Sequence, residues 1–329
     1  MKISVLVLSY NSDIRKLFLT LQSIIKQKMD SFEIVVADDG SKDNHKEELN
    51  NYFQNCGFTN YRLVMNEENR GTVQNIISGL RYCDGEYVKP ISGGDCLYDE
   101  NTLRKMYDFM KENTLDYCHG LVRGYCMTDN SEIREVPYGH PFDIEAYRKR
   151  DMDRITKNLV LYSDNTCGAT ICYERKIFLD YMLRISEVVK YEEDIFQVVA
   201  AVENKRVALL DDYVIWYEIG EGVSTNKKSR LYYLLAEDVD GLYRKLHEWH
   251  PDNKYVKKRY QLLPLYRIKN MYIRTILRFF VNPDAIRYLC SSFLQRVRKA
   301  HRKKNANPGF LDDRKFITMN EQSIRRNER

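Results

Sequence analysis

The sequence lacks most of the patterns that mark specialised classes of protein. None of the eight cysteines belongs to a Cys-x-x-Cys pair, so neither a zinc ribbon nor a thioredoxin-like redox motif is indicated. No Gly-x-Gly-x-x-Gly or Walker A loop occurs, which leaves little support for a dinucleotide-binding or P-loop protein. No apolar run approaches the roughly 18 residues that a membrane-spanning helix needs. The scattered cysteines favour reduced thiols, and we expect a cytoplasmic protein.

The length and composition are those of a globular protein. The 329 residues are 43% hydrophobic and 30% charged, which suits one large domain or one domain with an appendage. The N-terminal apolar residues 3–8 pass directly into Ser9-Tyr10-Asn11, without the long apolar region or cleavage site of a signal peptide. We therefore interpret them as the first β-strand of the domain.

Charge is distributed unevenly along the chain. Residues 1–240 hold 30 Lys and Arg against 40 Asp and Glu, whereas residues 241–329 hold 22 against 7. Beyond Pro283, apolar residues recur at helical spacing among basic ones; they are Ile286, Leu289, Cys290, Phe293, Leu294 and Val297. This pattern predicts a basic amphipathic helix that lies on an anionic membrane surface or, alternatively, packs against the body of the protein. We expect no nucleic-acid partner, because no recognised binding module accompanies the charge.

Apolar runs alternate with amphipathic segments in the first hundred residues. The strand-like runs are residues 3–9, 32–37, 61–65 and 87–91, and the helix-like segments are 13–28, 45–54 and 71–82. This alternation predicts a parallel sheet flanked by helices. From about residue 99 to 210 the pattern loosens into mixed helices and short strands, and residues 227–329 are predicted to be helical.

Polar residues follow three of these predicted strands. Ser9-Tyr10-Asn11, Asp38-Asp39 and Gly93-Gly94-Asp95 each stand where a strand ends. Ligands of open α/β sheets bind outside the carboxyl ends of the strands. The three clusters together predict one ligand-binding crevice, although each alone is also ordinary loop composition.

Several segments, taken in order, resemble those of the family 2 glycosyltransferases, which are inverting enzymes with the GT-A fold. These segments are residues 4–11, 35–43 (with Asp-Asp-Gly-Ser), 69–71, Asn75, 85–88 and 191–196. The resemblance implies an α/β GT-A domain over residues 1–226, with a Rossmann-like, mostly parallel sheet flanked by helices. Residues 1–98 would form its nucleotide-binding half, residues 99–226 its acceptor half, and residues 227–329 a helical basic extension.

The resemblance also implies a function and a donor site. The enzyme would move a sugar from a nucleotide diphosphate sugar, a UDP-sugar, to a hydroxyl of a saccharide or lipid-linked saccharide in cell-surface polysaccharide synthesis. The nucleotide-binding residues would be Ser9, Tyr10, Asp38, Asp39, Asn75 and Gly94. A carboxylate can accept the imide N–H of uracil, and a tyrosine ring can cover the base. The alternative for Asp38 and Asp39 is a turn or helix-capping pair.

At the implied metal site this sequence departs from the family. The family has Asp-x-Asp or Asp-Asp at the end of the fourth strand, whereas Ser92-Gly93-Gly94-Asp95 stands here and only Asp95 is a carboxylate. Magnesium is commonly held by one or two carboxylates together with substrate phosphates. We therefore expect Asp95 to hold Mg²⁺ or Mn²⁺ against the donor diphosphate.

The acidic residues 191–196 resemble the segment that carries the family's catalytic base. The resemblance assigns the base to Asp194, with Glu193 as the reserve. An inverting transfer needs one carboxylate to take the proton of the attacking hydroxyl. The alternative is the acidic start of a helix that faces solvent. Residues 216–218 and 222–225 resemble the family's closing loop, without the His or Arg often found there.

Two other functions stay open. A nucleotidyltransferase would use a similar sheet and a metal, but the sequence has no lysine- and glycine-rich activating loop near its first strand. A non-catalytic nucleotide-sugar-binding protein would tolerate the missing carboxylates at Ser92 and Gly94. The released product distinguishes the three functions. A glycosyltransferase releases a nucleoside diphosphate, a nucleotidyltransferase releases pyrophosphate, and a non-catalytic binder releases neither.

Overall fold

The computed structural model describes residues 1–127, 133–136, 138–139, 141–219, 230–266, 268, 270–281, 283, 284, 286, 288 and 290. In this part of the chain nine strands form one sheet: β1 Ile3–Ser9, β2 Phe32–Asp38, β3 Tyr61–Met65, β4 Tyr87–Ser92, β5 Cys96–Leu97, β6 Tyr117–Met127, β7 Ile133–Glu135, β8 Ile171–Glu174 and β9 Val207–Glu218. The helices are α1 Ile14–Ile25, α2 Lys46–Asn55, α3 Thr72–Leu80, α4 Thr102–Asn113, α5 Ile144–Arg148, α6 Met152–Tyr162, α7 Arg175–Ile185, α8 Phe196–Val202, α9 Arg230–Trp249, α10 Lys254–Tyr266 and α11 Met271–Val281.

The first four strands form a parallel sheet in the order β3-β2-β1-β4. Residues on alternate positions of each strand enter two different cores, because side chains of a strand point to opposite faces. Leu6 and Val35 pack with α3, whereas Val5 and Ile34 pack with α1 and α2. The predicted parallel sheet with flanking helices is confirmed in this half.

The remaining strands continue the sheet in mixed directions. β8 lies antiparallel between β4 and β6, β9 runs parallel to β6, and β5 and β7 add short antiparallel pairs at β9 and β6. The longest pairings of the whole sheet are parallel ones. Cys96 of β5 lies opposite Trp216 of β9. This pairing brings the residue before β5, Asp95, beside the end of β9.

Helices α9 and α10 belong to the main core. Leu242, Tyr243 and Leu246 of α9 are buried with Val256 and Leu263 of α10, in the same cluster as the core residues of β1, α3 and α8. The boundary at residue 226/227 lies outside the described residues and remains a prediction. Among the described residues, no helix is long and apolar enough to cross a membrane.

Candidate active site

A cleft of about 630 Å³ opens at the carboxyl edge of the parallel strands. Its walls come from the ends of β1 and β4, the start of α3, and residues 167–169 and 191–194. The predicted site residues that line it are Ser9, Tyr10, Asp39, Asn75, Asp95 and Asp194. Asp38 and Gly94 do not line the cleft. Their contacts support the loops beside it and are described below.

The loops after β1 and β2 are joined to each other. Asn11, in the left-handed region with φ +47°, donates its backbone N–H to Ser41 Oγ at 2.7 Å. Its side-chain oxygen accepts the N–H of Lys42 at 3.2 Å. Asp38 accepts the N–H and the hydroxyl of Ser41 on separate oxygens, at 2.8 and 2.6 Å. Asp38 therefore stabilises a turn, as the alternative interpretation of this residue predicted. The Tyr10 side chain is half exposed at the rim of the cleft.

Asp39 points the other way, toward the start of α3. Its two oxygens accept the N–H groups of Arg70 and Gly71, each at 2.9 Å. Burial raises the pKa of the Asp39 carboxyl, and the two backbone donors partly offset the increase. The carboxyl is therefore fixed in orientation where it borders the cleft.

Asn75 and Gly94 have structural contacts that explain their residue types. The Asn75 amide donates to Ala37 O at 3.0 Å and accepts from Asn66 Nδ2 at 3.1 Å, so it ties α3 to β2. Gly94 has φ +100°, and a Cβ there would lie 2.4 Å from Glu218 Oε2. Only glycine permits both this backbone conformation and the close approach of the glutamate.

Asp95 and Glu218 are two acidic residues that both line the cleft and contact each other. Asp95 Oδ1 accepts the backbone N–H of Glu218 at 3.0 Å, and Glu218 Oε1 lies 2.9 Å from Lys16 Nζ. Burial raises the pKa of Asp95 to about 7, and the hydrogen bond from Glu218 N and the charge of Lys89 oppose that increase. This oxygen donor set fits Mg²⁺ or Mn²⁺. Glu218 was visible in the sequence only as part of the closing-loop segment 216–218; residues 222–225 lie outside the described residues.

A second group of metal-ligating side chains lies at the start of α2. One ligand atom each of Asp43, His45 and Glu48 lies within 4.8 Å of the others. None of the three lines the cleft. They are therefore not placed to meet a diphosphate bound there.

Asp194 lies in the cleft against the 3₁₀ turn Gly168–Thr170. Gly168 donates its N–H to Asp194 Oδ2 at 3.2 Å, and a Cβ on Gly168 would lie 2.0 Å from Oδ1. Burial raises the pKa of Asp194 to about 6. Burial also raises the pKa of Glu193 well above its usual value, and the charge of Asp194 adds to that shift. These residues form the 3₁₀ turn Glu193–Ile195 that leads into α8, and both line the cleft, whereas the alternative had them facing solvent.

Two buried charged residues form hydrogen bonds with the segments that flank or contact Asp194. The sequence patterns did not indicate either residue. Asp238 of α9 accepts the N–H groups of Tyr191 and Glu192 at 2.6 and 3.0 Å. Lys89 of β4 donates to Ala169 O at 2.6 Å, next to the turn that contacts Asp194, and to the backbone of β4 itself. Burial lowers the pKa of Lys89 to about 8.

Comparison with known proteins gives a family match and distant relatives. The family model described as "Glycosyl transferase family 2" matches residues 4–178, more than half of the chain. Poly(ribitol-phosphate) beta-glucosyltransferase of Bacillus spizizenii is 25% identical over 223 residues, which is 66% of this chain and 32% of that protein. UDP-Glc:alpha-D-GlcNAc-diphosphoundecaprenol beta-1,3-glucosyltransferase WfgD of Escherichia coli is 25% identical over 133 residues, 40% of this chain and 48% of that protein. The chain thus spans about a third to a half of the length of these relatives.

Solved structures show the same fold. The crystal structure of S. aureus TarS 1-349 in complex with UDP matches with a TM-score of 0.50 at 18% identity, covering 90% of this chain and 91% of that one. The longer S. aureus TarS structure also gives a TM-score of 0.50, at 19% identity, over 86% of this chain and 54% of that one. The predicted α/β GT-A class is therefore confirmed.

Proposed function

The chain belongs to glycosyl transferase family 2, and we propose that it moves one sugar from a nucleotide diphosphate sugar to a hydroxyl of a saccharide or lipid-linked saccharide. The observation that carries the proposal is a single cleft that holds Tyr10 and Asp39 at one end of the parallel strands, together with Asp95 and Asp194. The names of the E. coli relative and of the TarS complex contain UDP-Glc and UDP, which supports a UDP-sugar as the donor. Cell-surface polysaccharide is the product class that the relatives' acceptors suggest.

The nucleotide would lie against the ends of β1 and β2. The ring of Tyr10 is exposed at the rim and available to cover the uracil face. Asp39, fixed by its two backbone donors, would accept the imide N–H. Ser9 lines the same wall and would contact the ribose. Asn75 and Gly94 would act by shaping this wall, and Asp38 by holding the turn beside it.

The diphosphate would lie at the end of β4. Asp95, with Glu218 beside it, would hold Mg²⁺ or Mn²⁺, which neutralises the charge that develops on the departing nucleotide. The Lys16 ammonium sits 2.9 Å from Glu218 Oε1 and adds positive charge beside that carboxylate. Gly94 permits the short spacing between the β4 loop and Glu218.

Asp194 would take the proton of the acceptor hydroxyl as that oxygen attacks the anomeric carbon. A base works best when its pKa lies near the working pH, and burial moves the pKa of Asp194 in that direction. Burial and the charge of Asp194 raise the pKa of Glu193 well above its usual value, which favours its protonated form, so we assign the base to Asp194. The Gly168 N–H orients the carboxylate that accepts the proton.

We further propose that the protein works in the cytoplasm, peripherally attached to an anionic membrane through its basic C-terminal region. The excess of 22 basic over 7 acidic residues beyond residue 240 supports this location. The E. coli relative is named for a diphosphoundecaprenol acceptor, which is a lipid-linked one. Of the predicted amphipathic stripe, Ile286 and Cys290 are exposed; Leu289, Phe293, Leu294 and Val297 lie outside the described residues.

A panel of nucleotide sugars, incubated with the full chain with and without Mn²⁺, tests the proposed activity. We expect at least one sugar nucleotide to release its nucleoside diphosphate, more quickly when an acceptor saccharide is present, and EDTA to suppress the release. Release of pyrophosphate from a nucleoside triphosphate would identify a nucleotidyltransferase instead. Binding without turnover of any donor would identify a non-catalytic binder.

A further inference from the structure

Helix α11 presents an apolar stripe to solvent. Tyr272, Ile276 and Phe280 follow one another at intervals of four residues, and their side chains are 74, 54 and 80% exposed. Ile273 and Val281, next to this stripe, are also more than half exposed. A stripe of this kind on one side of a helix is typical of an element that meets a partner. We call Tyr272, Ile273, Ile276, Phe280 and Val281 the α11 face.

The helix is attached to the domain on both sides of this face. α11 packs on α10 before it. After it, Tyr288 stacks on Tyr162 of α6 with 4.4 Å between ring centroids, and Asp284 pairs with Lys157 of α6 at 3.4 Å. The α11 face therefore belongs to a fixed part of the surface and is not the end of a loose tail.

The charge of the sequence that contains α11 indicates what covers the face. Residues 254–304 contain 15 Lys and Arg and a single acidic residue, Asp284. A second copy of the chain would bring this basic region against itself, because a twofold interface joins the same patch of both subunits. An anionic bilayer supplies both an apolar layer for the face and negative headgroups for the basic residues. Eleven helical residues span only about 16 Å, so α11 would lie along the surface and not cross it.

We propose that the α11 face inserts into the interface of an anionic membrane and is the main membrane contact of this protein. The contact thus lies before Pro283, whereas the sequence pattern had placed it beyond that residue. Tyr288 also packs near Phe142, with 6.3 Å between ring centroids. The chain leads from Phe142 back to Tyr138 and from Tyr162 on to Cys167, and both Tyr138 and Cys167 line the cleft. This inference rests on the proposed function in one respect. If the acceptor is lipid-linked, membrane contact through the α11 face would bring it toward the side of the cleft that Tyr138 and Cys167 line.

Co-sedimentation of the full chain with vesicles tests the proposal. We compare phosphatidylcholine vesicles with vesicles that also contain phosphatidylglycerol, at low and high salt. The test variant is Ile276→Ser with Phe280→Ser, and the matched control is Tyr82→Ser with Leu183→Ser, two side chains that are 52 and 45% exposed in other parts of the fold. Wild type and control should bind the anionic vesicles in a salt-sensitive way, and the α11 variant should bind at least roughly tenfold more weakly.

Three results would overturn the proposal. The first is that wild type does not bind anionic vesicles, or that the α11 variant binds as well as the control. The second is a lower melting temperature in the α11 variant than in the control, which would mean that the chain's own tail covers the face. The third is a dimer in light scattering that the α11 variant converts to a monomer, which would assign the face to a second copy.

Turnover separates this inference from the proposed function. Nucleoside diphosphate release with a soluble acceptor should be equal in wild type and the α11 variant, because the face does not line the cleft. Vesicle binding without any turnover would contradict the proposed function and leave the membrane contact intact. Turnover without vesicle binding would do the reverse.

Discussion

At the scale of single residues, Gly168 shows how closely the cleft is built around its carboxylate. Because a Cβ at this position would lie 2.0 Å from Asp194 Oδ1, the carboxylate can hold its place only opposite a glycine. We expect Gly168→Ala to displace Asp194 and to lower the transfer rate on the order of a hundredfold. Donor affinity, measured by calorimetry, should change little. Gly139→Ala is the matched control, since a Cβ there meets its nearest neighbour at 3.8 Å.

The same variant distinguishes two roles for Asp194. If Gly168→Ala transferred sugar at the wild-type rate while its fold was intact, the position of Asp194 would not matter to the reaction. If it lowered donor affinity and left the rate at saturation unchanged, Asp194 would be part of the donor site.

Asp95 should make the protein less stable as the pH rises. Its pKa is about 7 in the folded protein and near 4 in an unfolded chain, so the folded state binds more protons between these values. Stability is then lost as the pH rises through this window. Asp95→Asn keeps an acceptor for the Glu218 N–H but cannot ionise. We expect it to raise the free energy of unfolding at pH 8 by a few kcal/mol at most, and therefore the melting temperature, and to have little effect at pH 4.

The melts are recorded in EDTA, because a bound cation would favour the ionised carboxylate. The account would be contradicted by a variant that is less stable than wild type at pH 8, or equally shifted at both pH values. Turnover of Asp95→Asn, measured with Mn²⁺, should fall even though the fold is more stable. Such a result would show that Asp95 serves the reaction and does not stabilise the fold.

At the scale of elements, the local pattern predicted the first hundred residues and the helices α9, α10 and α11 well, and the strands between them poorly. The predicted bounds of β1 and β3 match the structure, whereas the first helix, predicted to reach residue 28, ends at Ile25. The long strands β6 and β9 were missed as a pair, because their partners lie far apart in sequence and alternation shows neither order nor direction. Polar residues at strand ends could be recognised in the sequence, but the contacts made by Lys89 and Asp238 arise only from packing.

Helix α9 should matter to catalysis through one side chain. Asp238→Ala removes the acceptor of the Tyr191 and Glu192 N–H groups, so the segment that carries Asp194 loses its anchor. We expect the transfer rate at saturating donor to fall by roughly tenfold or more, with the donor affinity kept. Asp238→Asn, which retains a carbonyl acceptor, should restore most of the rate. The exposed neighbour Glu237→Ala is the control. An equal loss in Asp238→Asn and Asp238→Ala would point to the charge of Asp238 and not to its hydrogen bonds.

At the scale of the whole molecule, the described structure joins the family-matched region to the helices that follow it. A fragment that ends at residue 226 lacks Leu242, Tyr243, Leu246, Val256 and Leu263, all at most 3% exposed in the intact chain. Each such side chain contributes about 1.5–3 kcal/mol, so their combined loss is comparable with the whole stability of a domain. We expect this fragment to show no cooperative thermal melt, whereas a chain ending at residue 290 should melt cooperatively. A cooperative melt of the shorter fragment would support a domain boundary at 226/227.

The candidate site is also a property of the whole fold. Motif order located six of the cleft residues from the sequence, because these residues stand in local segments with family-like neighbours. Glu218 reaches the cleft from the end of β9, because β5 pairs with β9. Asp238 contacts the segment before Asp194, because α9 packs there. No local pattern reports such contacts.

The rate of sugar transfer by Asp194→Asn, at saturating donor and acceptor, tests the central claim most directly. The substitution keeps the shape of the side chain and removes its basicity. We predict that transfer falls by roughly 10² to 10⁴ while donor binding persists, and that Glu193→Gln transfers at close to the wild-type rate. Near-normal transfer by Asp194→Asn would contradict the account, and a loss confined to Glu193→Gln would move the base by one residue.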